Sequence, residues 1–307
     1  MHILIAGASG FIGRHLINHW SSKHQISVLG RNKATLHRLF PDKIACYHWD
    51  ELEKINPHDL QVVINLCGYN IGKRRWSEAV KQLIIDSRVE TTTSLINWLS
   101  HHQATPHFYC ANAIGLYGLQ DQPSDTTKDE ETLVETNNPS DFLSQVSILW
   151  KQAAEKALEH DIPLTITCFG VVLGKGEGVL KKIAPSFKFG LGSIMGTGEQ
   201  MLSWVHIDDI VKGYDFLIEN PKITGIINLC SPNPVPQKTF AQTLAKAMKR
   251  PLLLKTPEFV IRMLFGEMGE CLIIHGQRVI PKRLLALDFV FVYPTIEEAL
   301  TAEFQPS

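Results

Sequence analysis

The chain has 307 residues, of which 44% are hydrophobic, and a formal net charge of −1. It is long enough to bury a sizeable core, and its balanced charge disfavours a nucleic acid or an anionic membrane as the main partner. No apolar run reaches the length of a membrane span, and no basic region precedes the first apolar run. Six cysteines are scattered singly, and the histidines do not cluster at ligand spacing. We therefore expect a cytoplasmic protein with reduced thiols and no metal site.

The first thirteen residues carry the strongest functional signal. The apolar run 3–6 predicts a buried strand, and an amphipathic segment after residue 13 predicts a helix. Between them, Gly7, Gly10 and Gly13 are spaced three apart. Such a turn permits a tight bend, a close backbone approach to a pyrophosphate, and close packing of the helix on the strand. The sequence favours a dinucleotide-binding turn; a glycine-rich turn shaped only by packing is the alternative.

The next two predicted strands end in residues that could contact the adenosine half of a dinucleotide. Strand 25–29 is followed by Arg31, in a place where an acid favours NAD and an arginine suits the 2′-phosphate of NADP. Arg31 therefore favours NADP, although a solvated surface arginine is the alternative. Strand 44–49 is followed by Asp50, which we expect near the adenine.

Strands and helices then alternate. We predict strands at 60–67, 107–110 and 163–169, and helices at about 76–99 and 142–158. The polar residues 119–140 predict a surface loop beside the site. This alternation predicts an α/β fold, a doubly wound parallel sheet of the Rossmann type with helices on both faces.

The pattern changes after residue 174, where glycine-rich pieces, a strand near 203–207 and a mainly helical tail follow. Asp208 or Asp209 can begin the helix after that strand. We predict a cofactor-binding domain over 1–175, completed by about 203–230. Residues 176–202 and 231–307 would form a smaller, mainly helical substrate lobe.

Several strings together resemble the extended short-chain dehydrogenase/reductase superfamily, and within it the branch called "epimerase family protein". They are GASGFIG at 7–13, NLCGYNI at 65–71, RRW at 74–76, DSRVETT at 86–92, AIGLYG at 113–118, GVVLG at 170–174, SWVHIDDI at 203–210, SPNPVPQKTF at 231–240 and GQRVIPKRLL at 276–285. The match spans nearly the whole chain. The resemblance implies NADP(H) binding and a substrate cleft between the two lobes.

The resemblance also implies a set of cofactor contacts. The pyrophosphate would lie on the first turn, the 2′-phosphate on Arg31, and the adenine-side ribose on the segment after the fourth strand. Relatives often carry a Glu where this chain has Tyr69. The expected cofactor-binding residues are Gly7, Ser9, Gly10, Phe11, Ile12, Gly13, Arg31, Asp50, Leu66, Cys67, Gly68 and Tyr69.

Catalysis in the superfamily uses a Tyr whose pKa is lowered by a Lys one helical turn later. By the resemblance, these two positions fall at Leu143 and Ser147, which cannot do that work. The hydroxyl positions at the end of the fifth strand fall at Asn112 and Ala113, where this branch usually has Ser-Ala. Asn112 can polarise an oxygen but supplies no ionisable proton. Tyr117 lies where relatives touch substrate, with a packing tyrosine as the alternative. Asn112 and Tyr117 are the catalytic candidates.

Some features carry open alternatives. Arg74 and Arg75 could reach a cofactor phosphate or an acidic substrate, or could be a solvated helix start. Tyr69 to Lys73 is the one Tyr-x-x-x-Lys string, but it lies in a glycine-containing loop. Trp150 belongs to the core or faces the cleft.

The sequence leaves two functions open. One is an NADP(H)-dependent epimerase or oxidoreductase acting on a small polar, nucleotide-sugar-like molecule. The other is an NADP(H)-binding sensor or interaction protein without turnover, because the Tyr and Lys are missing. A homodimer is compatible with both.

Overall fold

The computed structural model describes residues 1–120 and 126–305, so part of the predicted 119–140 loop lies outside the described residues. The strands are β1 His2–Ala6, β2 Gln25–Gly30, β3 Ala45–His48, β4 Val62–Asn65, β5 His107–Ala113, β6 Leu164–Phe169, β7 Val171–Leu173, β8 Ser193–Met195, β9 Met201–Leu202, β10 Trp204–His206, β11 Gly225–Leu229, β12 Val235–Pro236 and β13 Leu254–Thr256.

The helices are α1 Phe11–Trp20, α2 Lys33–Leu39, α3 Glu78–His101, α4 Phe142–Glu155, α5 Gly178–Lys188, α6 Ile207–Glu219, α7 Gln237–Ala247, α8 Glu258–Phe265, α9 Glu267–Gly269, α10 Lys282–Ala286 and α11 Ile296–Phe304. Short 3₁₀ turns lie at Trp49–Lys54, Pro57–Asp59, Ile114–Tyr117 and Lys156–His160, and a π turn lies at Glu270–Ile274.

The main sheet has seven strands in the order β11-β6-β5-β4-β1-β2-β3. All of its pairings are parallel, and Ile3 of β1 lies between Ile26 of β2 and Val62 of β4. The strand order reverses between β1 and β4, which is the switch point of a doubly wound sheet. The predicted α/β Rossmann architecture is confirmed.

The apolar strands point alternate side chains to the two faces of this sheet, and both faces are buried. Ile3 and Ile5 point into a core shared with α1 and α6, where Trp20 and Tyr214 are buried. Leu4 lies in the opposite core, which α3 and α4 cover. Burial on both faces explains why the strands read as continuous apolar runs.

A further core gathers residues from the second half of the chain. Its buried members come from β7, α5, β10, α7 and α11, and they include Leu180, Trp204, Leu244 and Leu300. This core joins residues of the predicted second lobe to β7 and β10, which the prediction assigns to the cofactor-binding domain. The lobe boundaries themselves stay a prediction.

The start of α6 differs from the prediction. Its N-cap is His206, not Asp208 or Asp209, because the ring of His206 accepts the N–H of Asp208 at 3.2 Å. The carboxylate of Asp209 instead accepts the N–H groups of Val292 and Tyr293, at 2.5 and 3.1 Å. Asp209 therefore anchors the returning chain at Val292 and Tyr293.

Candidate functional site

The glycine turn lies between β1 and α1, at the carboxyl edge of the sheet beside the switch point. Gly7 donates its N–H to Leu29 O at 3.2 Å, and Gly10 donates to Gly7 O at 3.0 Å. These bonds fold the chain back on itself before the helix begins. Ligands of open parallel sheets bind in the crevice at this place.

The three glycines differ in what a side chain would meet. At Gly7, φ is +77°, and a Cβ would lie 2.7 Å from the carbonyl carbon of Leu66. At Gly13, a Cβ would lie 2.6 Å from the oxygen of Ala8. At Gly10, a Cβ would meet only Gly7 O, at 3.2 Å. Gly7 and Gly13 are therefore required by the fold, whereas Gly10 leaves open space above the turn.

The start of α1 is prepared for an anion. Its N-cap, Gly10, supplies no side-chain cap, and its first turn holds no acid. The N–H groups of Phe11, Ile12 and Gly13 have no hydrogen-bond partner in the described part of the chain. Free N–H groups and the positive end of the helix dipole favour a phosphate at this position.

The loop between β7 and α5 closes over the turn. The ring of Phe11 fills the space where a Cβ of Gly174 or Gly178 would lie, at 2.5 and 3.2 Å. Arg14 donates to Ser9 O at 2.8 Å and forms an ion pair with Glu177. The second half of the chain is therefore tied directly to the nucleotide turn.

Arg31 follows β2 at the same edge. It is exposed and forms no hydrogen bond or ion pair among residues 1–120 and 126–305. Burial raises the pKa of the Cys67 thiol to about 12, and the charge of Arg31 is near enough to oppose this in part. Asp50 is also exposed and pairs with His48 at 3.1 Å. The cation is free to bind a ligand phosphate.

The segment after β4 forms the other wall. Leu66 continues the pairing with β1 through Ala6 O at 2.9 Å, and Cys67 N–H binds the side chain of Asn65 at 3.0 Å. Tyr69 N–H binds Ser87 Oγ at 2.8 Å, and Lys73 Nζ lies 5.6 Å from the Tyr69 ring centroid. This stretch is therefore held in place by α3.

A guanidinium that the sequence pattern did not reveal lies in this wall. Arg88 donates to Ile84 O and Tyr69 O at 2.8 and 3.3 Å and lies 5.1 Å from the ring of Trp150. A Cβ on Gly68 would meet its Cζ at 3.0 Å. Burial lowers the pKa of Arg88 to about 10. Its Nε and Nη2 have no hydrogen-bond partner among the described residues, and neither is sealed from solvent.

Trp150 faces this buried polar region. Its indole N–H donates to Thr92 Oγ at 3.1 Å, and Thr92 also accepts from Asn65 at 2.9 Å. Trp150 is thus part of the core between α3 and α4. Ile84, Arg88, Thr92 and Leu95 fall on one face of α3, and polar residues interrupting that apolar stripe were the sequence signal for this network.

The catalytic candidates lie at the end of β5. Asn112 is buried, its Nδ2 donates to Ser147 O at 3.0 Å, and its Oδ1 accepts the N–H of Ala113 at 2.8 Å. Because a side-chain amide has two N–H groups, one donor of Asn112 remains. Ser147 Oγ would lie 3.1 Å from a Cβ on Gly115.

Tyr117 follows in the turn after β5. Its hydroxyl donates to Asn228 Oδ1 at 2.8 Å, and its ring packs among Ile114, Cys230 and Val279. Burial raises the pKa of Tyr117 well above its usual value. The hydroxyl is therefore neutral and engaged within the fold. A substrate contact by Tyr117 stays a prediction.

Comparison with known proteins places this geometry in a family. The sequence profile described as the NAD dependent epimerase/dehydratase family matches residues 3–230, and the profile of a domain of unknown function, DUF1731, matches residues 256–303. The chain belongs to the NAD dependent epimerase/dehydratase family. The first match covers all seven strands of the main sheet except the first residue of β1.

Members of this family resemble the chain over its whole length. Epimerase family protein YfhF of Bacillus subtilis is 34% identical, over 98% of this chain and 97% of YfhF. The chloroplastic SDR39U1 homolog of Arabidopsis thaliana is 33% identical, over 99% and 87%. The crystal structure of human epimerase family protein SDR39U1 (isoform2) with NADPH has a TM-score of 0.87 at 27% identity, covering 99% of each chain. The resemblance to the epimerase family protein branch is confirmed.

The structure was also searched for membrane-spanning helices and for groups of metal ligands. Within the described ranges, no helix is both long and apolar enough to cross a membrane. In the same ranges, His, Cys, Asp and Glu side chains form no group of three or more that could hold a metal ion.

Proposed function

We propose that this protein binds NADP(H) at the β1–α1 turn and acts as an epimerase or oxidoreductase on a small polar substrate of the nucleotide-sugar type. The main support is the turn itself. A Cβ on Gly10 would meet only one atom, the start of α1 has no side-chain cap, and Arg31 after β2 is exposed and forms no ion pair among the described residues. The human SDR39U1 crystal structure with NADPH supports the choice of cofactor.

In this proposal the pyrophosphate lies on the N–H groups at the start of α1. Arg31 binds the 2′-phosphate, because a guanidinium matches phosphate geometry with two hydrogen bonds. Bound NADP(H) would supply or accept a hydride. The proposed cofactor contacts are Gly7, Ser9, Gly10, Phe11, Ile12, Gly13, Arg31, Asp50, Leu66, Cys67, Gly68 and Tyr69.

We propose Asn112 as the group that polarises a substrate oxygen through its remaining Nδ2 hydrogen, and Tyr117 as a substrate contact. Asn112 is already oriented by Ser147 O and the N–H of Ala113. A preoriented donor stabilises charge that develops on an oxygen without further reorganisation. A cytoplasmic location and a homodimer complete the proposal.

A second function has its own observation. The superfamily's Tyr and Lys positions hold Leu143 and Ser147, and the hydroxyl of Tyr117 is engaged by Asn228. A protein with this arrangement could use cofactor occupancy to set its shape for a partner, without turnover.

One experiment separates the two functions. The protein is incubated with carbonyl compounds and NADPH deuterated at the transferable position, and separately with nucleotide sugars and NADP+; reduced products are detected by mass spectrometry and epimers after chromatographic separation. The first function predicts deuterium transfer to a carbonyl compound or formation of an epimer, at a rate that falls at least about tenfold in Asn112→Ala, with NADPH affinity retained. Tight NADPH binding with neither reaction across both panels would favour the second function.

A further inference from the structure

Two exposed segments of the second lobe combine large apolar side chains with cations. One is Lys188-Phe189-Gly190-Leu191, at the end of α5, and the other is 249–255, with the sequence KRPLLLK. Four large apolar side chains stand in water there: Phe189 is 77% exposed, Leu191 61%, Leu253 84% and Leu254 45%. A soluble protein seldom gathers this much exposed apolar surface without a partner for it.

The two segments form one surface, which we call the α5–β13 tip. Arg250 Nε donates to Lys188 O at 3.0 Å, which ties the start of the second segment to the first. Farther along, β13 pairs in parallel with β8, so Leu254 lies beside Ser193. The four apolar side chains therefore lie on neighbouring segments of the chain.

The charge of the tip is positive. Lys188, Lys249, Arg250 and Lys255 lie in the two segments and are exposed. None of them forms an ion pair in the part of the chain that the structure describes. Glu258, the acid that follows the second segment in sequence, pairs with Arg262, and Glu199 pairs with Lys238. The net charge of −1 averages over the whole chain and hides this local surface.

The charge argues against a second copy of the chain as the occupant. A two-fold symmetric interface places the same patch against itself, so the four cations of one tip would face four cations of the other. An anionic lipid surface complements both features. Aromatic and aliphatic side chains enter the interfacial region, and lysine and arginine bind the headgroups.

We propose that the α5–β13 tip binds the surface of an anionic lipid membrane, peripherally and reversibly. Apolar insertion and electrostatic attraction are two weak signals, and stable membrane binding takes both. The tip lies at the carboxyl end of α5, whereas Gly178 at the other end of this helix contacts Phe11 of the nucleotide turn. The eleven residues of α5 place the two ends roughly 16 Å apart. Changes at the tip therefore leave the nucleotide turn intact. The proposal is independent of the proposed function.

The test is vesicle flotation of the full-length protein. Vesicles of phosphatidylcholine alone are compared with vesicles that also contain phosphatidylglycerol, at low and high salt. We expect the protein to float with the anionic vesicles, at least about tenfold more tightly than with neutral ones, and to be released by salt. Absence of binding to anionic vesicles, or equal binding to neutral ones, would overturn the proposal.

Variants locate the binding surface. Phe189→Ser with Leu253→Ser should weaken binding to anionic vesicles at least about tenfold, because the two most exposed of the four apolar side chains are lost. Lys249→Gln with Lys255→Gln should weaken it by about the same factor. Leu133→Ser is the matched control, since Leu133 is 95% exposed but lies in a different loop. Melting temperature and NADPH affinity report on folding.

Two results would contradict membrane binding by the tip. One is unchanged vesicle binding by the apolar double variant. The other is a dimer of the parent, seen by sedimentation velocity, that this variant dissociates while vesicle binding stays absent; the tip would then be a subunit interface.

Discussion

Arg14 on α1 and Glu177, the N-cap residue of α5, form an ion pair across 163 positions of sequence. The same arginine binds Ser9 O within the glycine turn. The pair joins the proposed pyrophosphate site to the start of α5, beside the place where Phe11 packs against Gly174. The position of α5 is therefore coupled to the cofactor turn.

This coupling can be measured by a double-mutant cycle of Arg14→Met and Glu177→Gln in chemical denaturation. Both side chains are about one-third exposed, so we expect an interaction energy of about 0.2–1 kcal/mol that decreases with salt. The pair of Lys238 and Glu199 is the matched control for a surface ion pair away from the turn. Strict additivity of the two changes would show that the bridge contributes nothing.

Gly10 and Gly13 should respond differently to alanine. Gly10→Ala has an ordinary φ of −72° and meets one atom, Gly7 O at 3.2 Å, so its melting temperature should fall less than that of Gly13→Ala. Its methyl group points into the space proposed for the pyrophosphate, and NADPH affinity should fall at least about tenfold. Gly13→Ala places a methyl 2.6 Å from Ala8 O and should cost about 1–3 kcal/mol of stability. Unchanged NADPH affinity in Gly10→Ala would remove the pyrophosphate from this turn.

Arg31→Asp should change cofactor preference. Loss of a charge-assisted bond to the 2′-phosphate costs about 1.5–3 kcal/mol, so NADPH affinity should fall roughly ten- to a hundredfold while NADH affinity changes little. Arg38→Asp, on an exposed position of α2, is the matched control. Fluorescence titration of both nucleotides makes the comparison. Equal losses for NADPH and NADH would refute the assigned role of Arg31.

His107 should make stability depend on pH. It is buried, lies 2.8 Å from Thr165 Oγ and stacks on Tyr109, and burial lowers its pKa from 6.5 to about 4. Above pH 6.5 the ring is neutral in both the folded and the unfolded state. As the pH falls toward 4, only the unfolded state binds the proton, so the folded state loses up to about 3 kcal/mol.

The measurement is chemical denaturation of the parent and of His107→Gln between about pH 7.5 and 4. The parent should lose stability relative to the variant as the pH falls. The exposed His160→Gln serves as the control and should follow the parent. Parallel pH profiles for the parent and His107→Gln would contradict the account.

Local sequence patterns predicted the elements that surround the candidate site. The β1–α1 turn, Arg31 after β2 and the segment after β4 are each marked by a strand end and a change of composition. The positions of these elements at one edge of the sheet then follow from parallel pairing. The predicted start of α6 was wrong because the ring of His206, and not an aspartate carboxylate, caps the helix.

Other parts depend on contacts that sequence spacing does not show. Arg88 was not assigned because its environment comes from Gly68 and Trp150, which are distant in sequence and meet only in the folded chain. The hydrogen bond from Tyr117 to Asn228 joins residues 111 positions apart, so the sequence could not predict it either. Both cases concern polar groups buried between elements, where the partner decides the role.

Calorimetric titration of NADPH into the folded protein tests the central claim most directly, with NADH titrated in parallel. The account predicts saturable binding of one NADPH per chain, tighter than NADH, and weakened in Gly10→Ala. Absence of a saturable NADPH isotherm in protein that shows a cooperative melting transition would contradict it.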